Sequence, residues 1–290
     1  MNPVPLTLIK GGFRIVGAAP DGDSIRFHPA DPDAFARAGI AVRTSSTGGA
    51  QLRLEGIDSL ETHYSPRVGG LGQLHQPIRL AEQAAALLPR LLGFTEVERD
   101  DQTVVSSIPE RVPGYILTRF ADKYGRCVAF AFGGESAHAD LESVFVRPED
   151  LAGSANSGML DTGLVYPTYY SKLFPDLRAA LTDACRRARD ARRGIWAEDV
   201  TESGFTVTGL ETLTEQAVIL PKLFRRLVDY LALGDGDASL GGFPAYLATV
   251  DDRLVIASTA AVTGFDNVLE IQGQQVRMTH PPEDLIFIEA

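Results

Sequence analysis

RLEGIDSLE, residues 53–61, alternates like a strand and then meets a glycine, but an arginine and an aspartate interrupt its apolar places. Upstream, TLIKGGFRIV (7–16) and SIRFH (24–28) read as two more short strands around DGDS (Asp21–Ser24), with glycine and aspartate as the turn formers. Downstream, GYILTRF and RCVAFAFG flank DKYGR (Asp122–Arg126) as a hairpin. Helices are expected at 79–94, where Pro89 interrupts the run, near 157–164, and at 177–196. The last carries Leu177, Ala180, Leu181, Ala184, Cys185 and Ala188 on one stripe. Five short strands with helices between and after them suit a closed β-barrel of the OB type in an α+β chain.

Beyond Trp196 the character changes. GLETLTEQAVILPKLFRRLVDYLALG is expected to be helical, GDGDASLGGFP a loop, and DRLVIAS, VLEIQGQQVRM and DLIFIE strands, the middle one folding as a hairpin. This predicts a barrel domain over residues 1–199 and a smaller α+β domain over 200–290. No apolar run approaches the roughly 18 residues that span a bilayer. The N-terminus lacks a basic region followed by an apolar core, so a cytoplasmic location is expected, with secretion left open for a chain trimmed of its leader. Cys127 and Cys185 are expected to be buried free thiols.

The net charge of −11 works against a polyanionic partner. Its distribution softens that objection. From Val200 onward there are 13 acidic and 5 basic residues, so most of the excess lies there and residues 1–199 are close to neutral.

Asp23, Asp58 and Glu61 would converge if the DGD turn and the GIDSLE segment share one barrel rim. Hard cations such as calcium and magnesium need two or more such carboxylates, with carbonyls and water completing the shell. A cation there neutralises phosphate charge, and a further carboxylate takes the proton of an attacking water. Arg53 and Arg126 would match, in shape and sign, the charge that develops on phosphate oxygens during in-line attack.

Taken together and in this order, DGDS, RLEGIDSLE and DKYGR, followed by ARDARRGIW closing a long helix, resemble the thermonuclease (staphylococcal nuclease-like) family over residues 7–199. The resemblance implies a metal-dependent nuclease acting on DNA or RNA, single strands favoured, with calcium as the metal and magnesium or manganese as alternatives. It implies Asp23, Asp58 and the backbone carbonyl of Ser59 as metal ligands, and Glu61 as the base or water-orienting group. It makes Arg53 and Arg126 the catalytic arginines. Lys123, Tyr124, Tyr169 and Arg67 would contact substrate, the tyrosines by stacking. Leu60 replaces the proline expected before the glutamate, serines stand for threonines at Ser24 and Ser59, and three connections are long. A non-catalytic nucleic-acid-binding or scaffold barrel is the rival reading.

Other signals read plainly. Glu55 is expected to be solvated, and the five histidines show no ligand spacing, with His63 of interest only for lying near Glu61. GDGDASLGG has Asp235, Asp237 and Ser239 at calcium-loop spacing but Leu240 and Tyr246 where that loop needs glycine and glutamate, so it reads as a loop. The C-terminal part is read either as an acidic cover over the cleft or as a stabilising or dimerising module.

Overall fold

The computed structural model describes residues 5–234 and 237–289; residues 1–4 of the N-terminal reading, and 235–236 within GDGDASLGG, lie outside them. The chain begins with strands β1 (Leu6–Phe13) and β2 (Ser24–Pro29), a short helix α1 (Ala34–Arg37), and strands β3 (Ala50–Leu54) and β4 (Ile57–Ser59). Helix α2 (Ile78–Leu92) leads into a hairpin of β5 (Glu96–Asp100) and β6 (Thr103–Ile108), then the hairpin of β7 (Val112–Ala121) and β8 (Cys127–Gly133). The order β2-β3-β8-β7-β1, with β1 pairing back onto β2, closes a five-stranded barrel. All its pairings are antiparallel except β3 with β8, which run parallel. Mixed α+β structure around a closed barrel is what the alternation of the five strands leads one to expect.

The barrel closes because each strand buries one face. Ile9, Phe13, Ile25, Phe27, Leu52, Leu54 and Ile116 have essentially no exposed surface, and the Phe13 and Phe27 rings meet at 5.3 Å. Helix α2 lays Leu80, Ala81, Ala84, Ala85, Leu88 and Leu92 inward at helical spacing. Pro89, expected to interrupt this helix, sits inside it. A proline removes the amide that would bond the carbonyl four residues back, here Ala85. Arg99 fills the gap by donating from Nη2 to that carbonyl at 3.0 Å, so the helix continues to its C-cap.

Strand β9 (Ser143–Val144) extends the barrel sheet at β1, and helix α3 (Ala155–Thr162) follows. Ser154 caps α3 by accepting from the Ser157 amide at 3.1 Å. Asn156 is fully buried under the barrel and makes three bonds: it accepts from the Ala131 amide at 3.1 Å and donates to the Glu55 and Ala129 carbonyls at 2.8 and 3.2 Å. It thereby fixes the β3–β4 connection against β8. Strands β10 (Val165–Pro167) and β11 (Tyr169–Tyr170) precede helix α4 (Pro175–Asp190). The expected stripe of α4 is buried except at Ala180. Cys127 and Cys185 are free and buried.

After β12 (Phe205–Thr206) the stretch expected to be helical is so in two parts, a π-helical turn at Thr212–Gln216 and a longer helix after it. Residues 217–220 run extended and buried, with the Val200 amide on the Val218 carbonyl at 3.0 Å, and Pro221 starts helix α5 (Pro221–Leu233) at its first turn. Helix α6 (Phe243–Val250) and strands β13 (Arg253–Ile256), β14 (Ala261–Gly264), β15 (Leu269–Gln272), β16 (Gln275–Met278) and β17 (Leu285–Phe287) complete the chain. Strands β15 and β16 form the expected hairpin. Strand β17 pairs antiparallel with β13 and parallel with β11, so the end of the chain is stitched to the segment beside the barrel. Among the described residues no helix is long and apolar enough to cross a membrane.

Removing the amide of Asn156 takes the partner from the Ala131 amide and the Glu55 carbonyl, while the Ala129 carbonyl keeps its bond from the Glu55 amide at 2.9 Å. Asn156→Ala is expected to lower stability by about 2–4 kcal/mol in urea denaturation; a loss under about 0.5 kcal/mol would show that these bonds do not hold the rim.

Candidate active site

The rim of the barrel is shaped by close approaches. Gly22, in the turn before β2, lies so near β4 and α2 that a Cβ there would stand 2.6 Å from the side chains of both Ser59 and Ala84. Gly56, between β3 and β4, has φ of 79° and would meet Leu181 at 2.6 Å. These two glycines let the DGD turn and the RLEGIDSLE stretch share one corner. Ser24 pairs with Arg53 across β2 and β3, the Leu54 amide bonds the Asp23 carbonyl at 2.8 Å, and the Ser59 amide reaches Asp23 Oδ2 at 3.4 Å. Buried Gln76 holds the Glu61 loop: its Oε1 accepts from the Glu61 amide at 3.2 Å while its Nε2 donates to the Ile219 carbonyl at 2.8 Å.

Asp23 and Asp58 are both buried, and their environments push them apart. Burial raises the Asp23 pKa well above the usual carboxylate range, and the neighbouring charges of Asp21 and Asp58 push it the same way. Burial opposes the Asp58 charge too, but Arg225 and Arg53 outweigh it and hold its pKa below the ordinary value. Arg225, on α5, donates from Nη2 to Asp58 Oδ2 at 2.7 Å and from Nη1 to Asp58 Oδ1 at 3.4 Å, and Nη1 also bonds Glu61 Oε1. Arg53 Nη2 stands 3.8 Å from Asp58 Oδ1, with its guanidinium 5.7 Å from the centre of the Tyr170 ring. Glu61 is raised by burial and by Asp58, against the pull of Arg225.

A cleft of about 590 Å³ opens in front of this cluster, and Asp23, Arg53, Asp58, Ser59 and Glu61 all line it. Arg126, Lys123 and Tyr124, from the β7–β8 turn, line another part of its wall. Asp122 organises that turn by accepting from the Tyr124 and Arg126 amides at 2.9 and 3.0 Å and from Arg126 Nε at 2.7 Å. Tyr124 is exposed, with Lys123 and Arg126 over its ring. Arg67 lies at the rim, its amide on Asp229 Oδ1 at 3.2 Å.

One expected substrate contact is displaced. Tyr169 is fully buried, its hydroxyl 2.9 Å from that of Thr182, and does not line the cleft. Neighbouring strand residues face opposite ways, so Tyr170 takes the cleft side. Glu55, expected to be solvated, is buried in the cleft floor, and burial, opposed by Arg53, pushes its pKa up to about 7. His63 anchors a loop instead of serving Glu61, its Nδ1 2.8 Å from Thr62 Oγ1 and 3.1 Å from Gln102 Oε1. Arg187 and Arg189 on α4 pair with Asp161 and Glu283.

The carboxylates are hard oxygen donors of the right kind for a divalent cation, but their arrangement does not fit one. Arg225 takes both oxygens of Asp58 and one of Glu61, and among the described residues no group of three or more His, Cys, Asp and Glu could hold a metal ion. Arg225, Gln76 and Tyr170 were not singled out from sequence; the RR pair of Arg225 and Arg226 on an amphipathic helix looks like a solvated face. No protein-family model matches the chain, and no curated protein matches it either.

Glu55 gives the site a pH signature. Its raised pKa means that the folded chain holds a proton which the unfolded chain has released, between about pH 4.5 and pH 7. Stability therefore falls as pH rises through that window. Glu55→Gln should remove this decline, gaining up to about 3 kcal/mol relative to the parent between about pH 5 and pH 8 in urea denaturation. Parallel pH curves for the two proteins would contradict the assignment.

Proposed function

We propose that the cleft binds a nucleic-acid strand and hydrolyses its phosphodiester bonds, as the resemblance of DGDS, RLEGIDSLE and DKYGR to the thermonuclease family implies. The observation that carries this reading is that Asp23, Arg53, Asp58, Glu61 and Arg126, from three distant stretches, line one cleft. Arg53 and Arg126 would hold the phosphate oxygens as charge develops on them. Glu61 would orient or deprotonate the attacking water once its bond to Arg225 is given up. Tyr124 and Tyr170 would give sequence-tolerant stacking to bases of single-stranded DNA or RNA. A divalent cation, calcium before magnesium or manganese, belongs to this reading through the resemblance alone; Asp23, Asp58 and the Ser59 carbonyl would serve as its donors only with Arg225 withdrawn from Asp58. Residues 200–290 are proposed as a C-terminal α+β domain that forms the facing wall of the cleft.

A second reading, a nucleic-acid-binding barrel without turnover, is favoured by the same Arg225 contacts, which neutralise the acidic groups that hydrolysis would use. Digestion of single- and double-stranded DNA and RNA with calcium, magnesium and manganese separates the two. Cleavage abolished by chelator is expected, with Arg126→Ala slowing it by about 10²–10³-fold. Tight binding without cleavage under every metal would overturn the hydrolase reading in favour of the binding one.

A further inference from the structure

We infer that Arg225 is a built-in rival of a divalent cation, a tethered positive charge that keeps the Asp58 and Glu61 oxygens occupied and holds the cleft in a restrained state. The inference deepens the nuclease reading and rests on it. An acidic cover over the cleft is one of the two sequence readings of the C-terminal part. What reaches the carboxylates is a guanidinium, forked over both oxygens of Asp58 and one of Glu61.

Two features separate this contact from an ordinary structural ion pair. First, α5 does not need it to stay in place. Leu223, Phe224, Leu227, Val228 and Leu231 are buried, and Lys222 and Arg226 are tied to Asp252. Tyr64 and Arg67 bind Asp229 of the same helix. Second, the contact is reachable from solution. The Arg225 side chain keeps 20% of its surface exposed and lines the cleft beside Asp23, Arg53, Ser59 and Glu61. The helix is thus fixed while the guanidinium at its surface is open to exchange. Rotation of one side chain would free three carboxylate oxygens without moving α5.

The rivalry is one of sign and of position. A cation and the guanidinium both satisfy the Asp58 charge, and the two cannot hold the same oxygens together. The apparent affinity for a cation is therefore reduced by the fraction of molecules in which Arg225 has already swung away. Nothing is added or removed covalently.

Calcium alone is the probe, titrated calorimetrically into the full-length chain and into Arg225→Gln, with thermal unfolding followed in parallel. Calcium should bind the variant at least about tenfold more tightly and raise its Tm more than that of the parent. Arg225→Lys, a compact charge that cannot fork across Asp58 and Glu61, should fall between them, and it carries the test if Arg225→Gln does not fold by circular dichroism. Equal, saturable affinity in the folded proteins would overturn the inference while leaving a metal site standing. No binding of calcium, magnesium or manganese by any of them would remove the metal site itself, and the rivalry with it.

Discussion

A carboxylate taken out of water must meet a positive charge or give up its own, and Asp58 stands under that constraint at the barrel rim. Its side chain is almost wholly buried, yet it remains charged because Arg53 approaches from β3 and Arg225 from α5. Everything around it follows from accommodating that charge. Asp23, close by and also buried, is driven toward its neutral form by that burial and by the charges of Asp21 and Asp58, against the pull of Arg53. Glu61 shares the same guanidinium, and Gln76 holds its loop against the segment that leads into α5.

The barrel and the C-terminal residues are joined beside the charged cluster. Strand β17 pairs with β11, and Tyr170 on β11 carries Arg53 across its ring. Helix α5 brings its cations to the cleft although the segment it belongs to is strongly acidic overall. Net charge therefore says little about the local field: from residues 200–290, Lys222, Arg225, Arg226 and Arg253 line the cleft against Asp251, Asp252 and Glu289. The cleft lining is balanced between acidic and basic side chains, so the net charge of −11 is not concentrated at this site.

Much of the barrel could be read from sequence because alternation and turn chemistry are local. A strand with one buried face repeats every second residue, and Asp-Gly pairs mark where it reverses. The meeting of DGDS with RLEGIDSLE at one rim is not local, and alternation leaves it only as a condition. What failed was set by distant partners. Pro89 stays helical only because Arg99 arrives from the following hairpin to bond the Ala85 carbonyl. Tyr169 and Tyr170 differ by one residue and therefore by one sheet face, a distinction that a motif spacing does not resolve. Glu55 lies on the strand face of Arg53, and nothing in that alternation announces that packing buries it. Arg225 is the largest omission: nothing in PKLFRRLVDYL marks one arginine of a pair as the partner of an aspartate 167 positions earlier.

The coupling between that pair is the most direct measure of how the site is held. A double-mutant cycle combining Arg225→Gln with Asp58→Asn, read by urea denaturation at neutral pH, isolates their interaction from the separate costs of each change. The pairing described here predicts a coupling of about 2–4 kcal/mol, with the double variant more stable than the Arg225→Gln single variant because Asp58 no longer holds a buried charge stripped of its main partner. A coupling within about 0.5 kcal/mol of zero would contradict it.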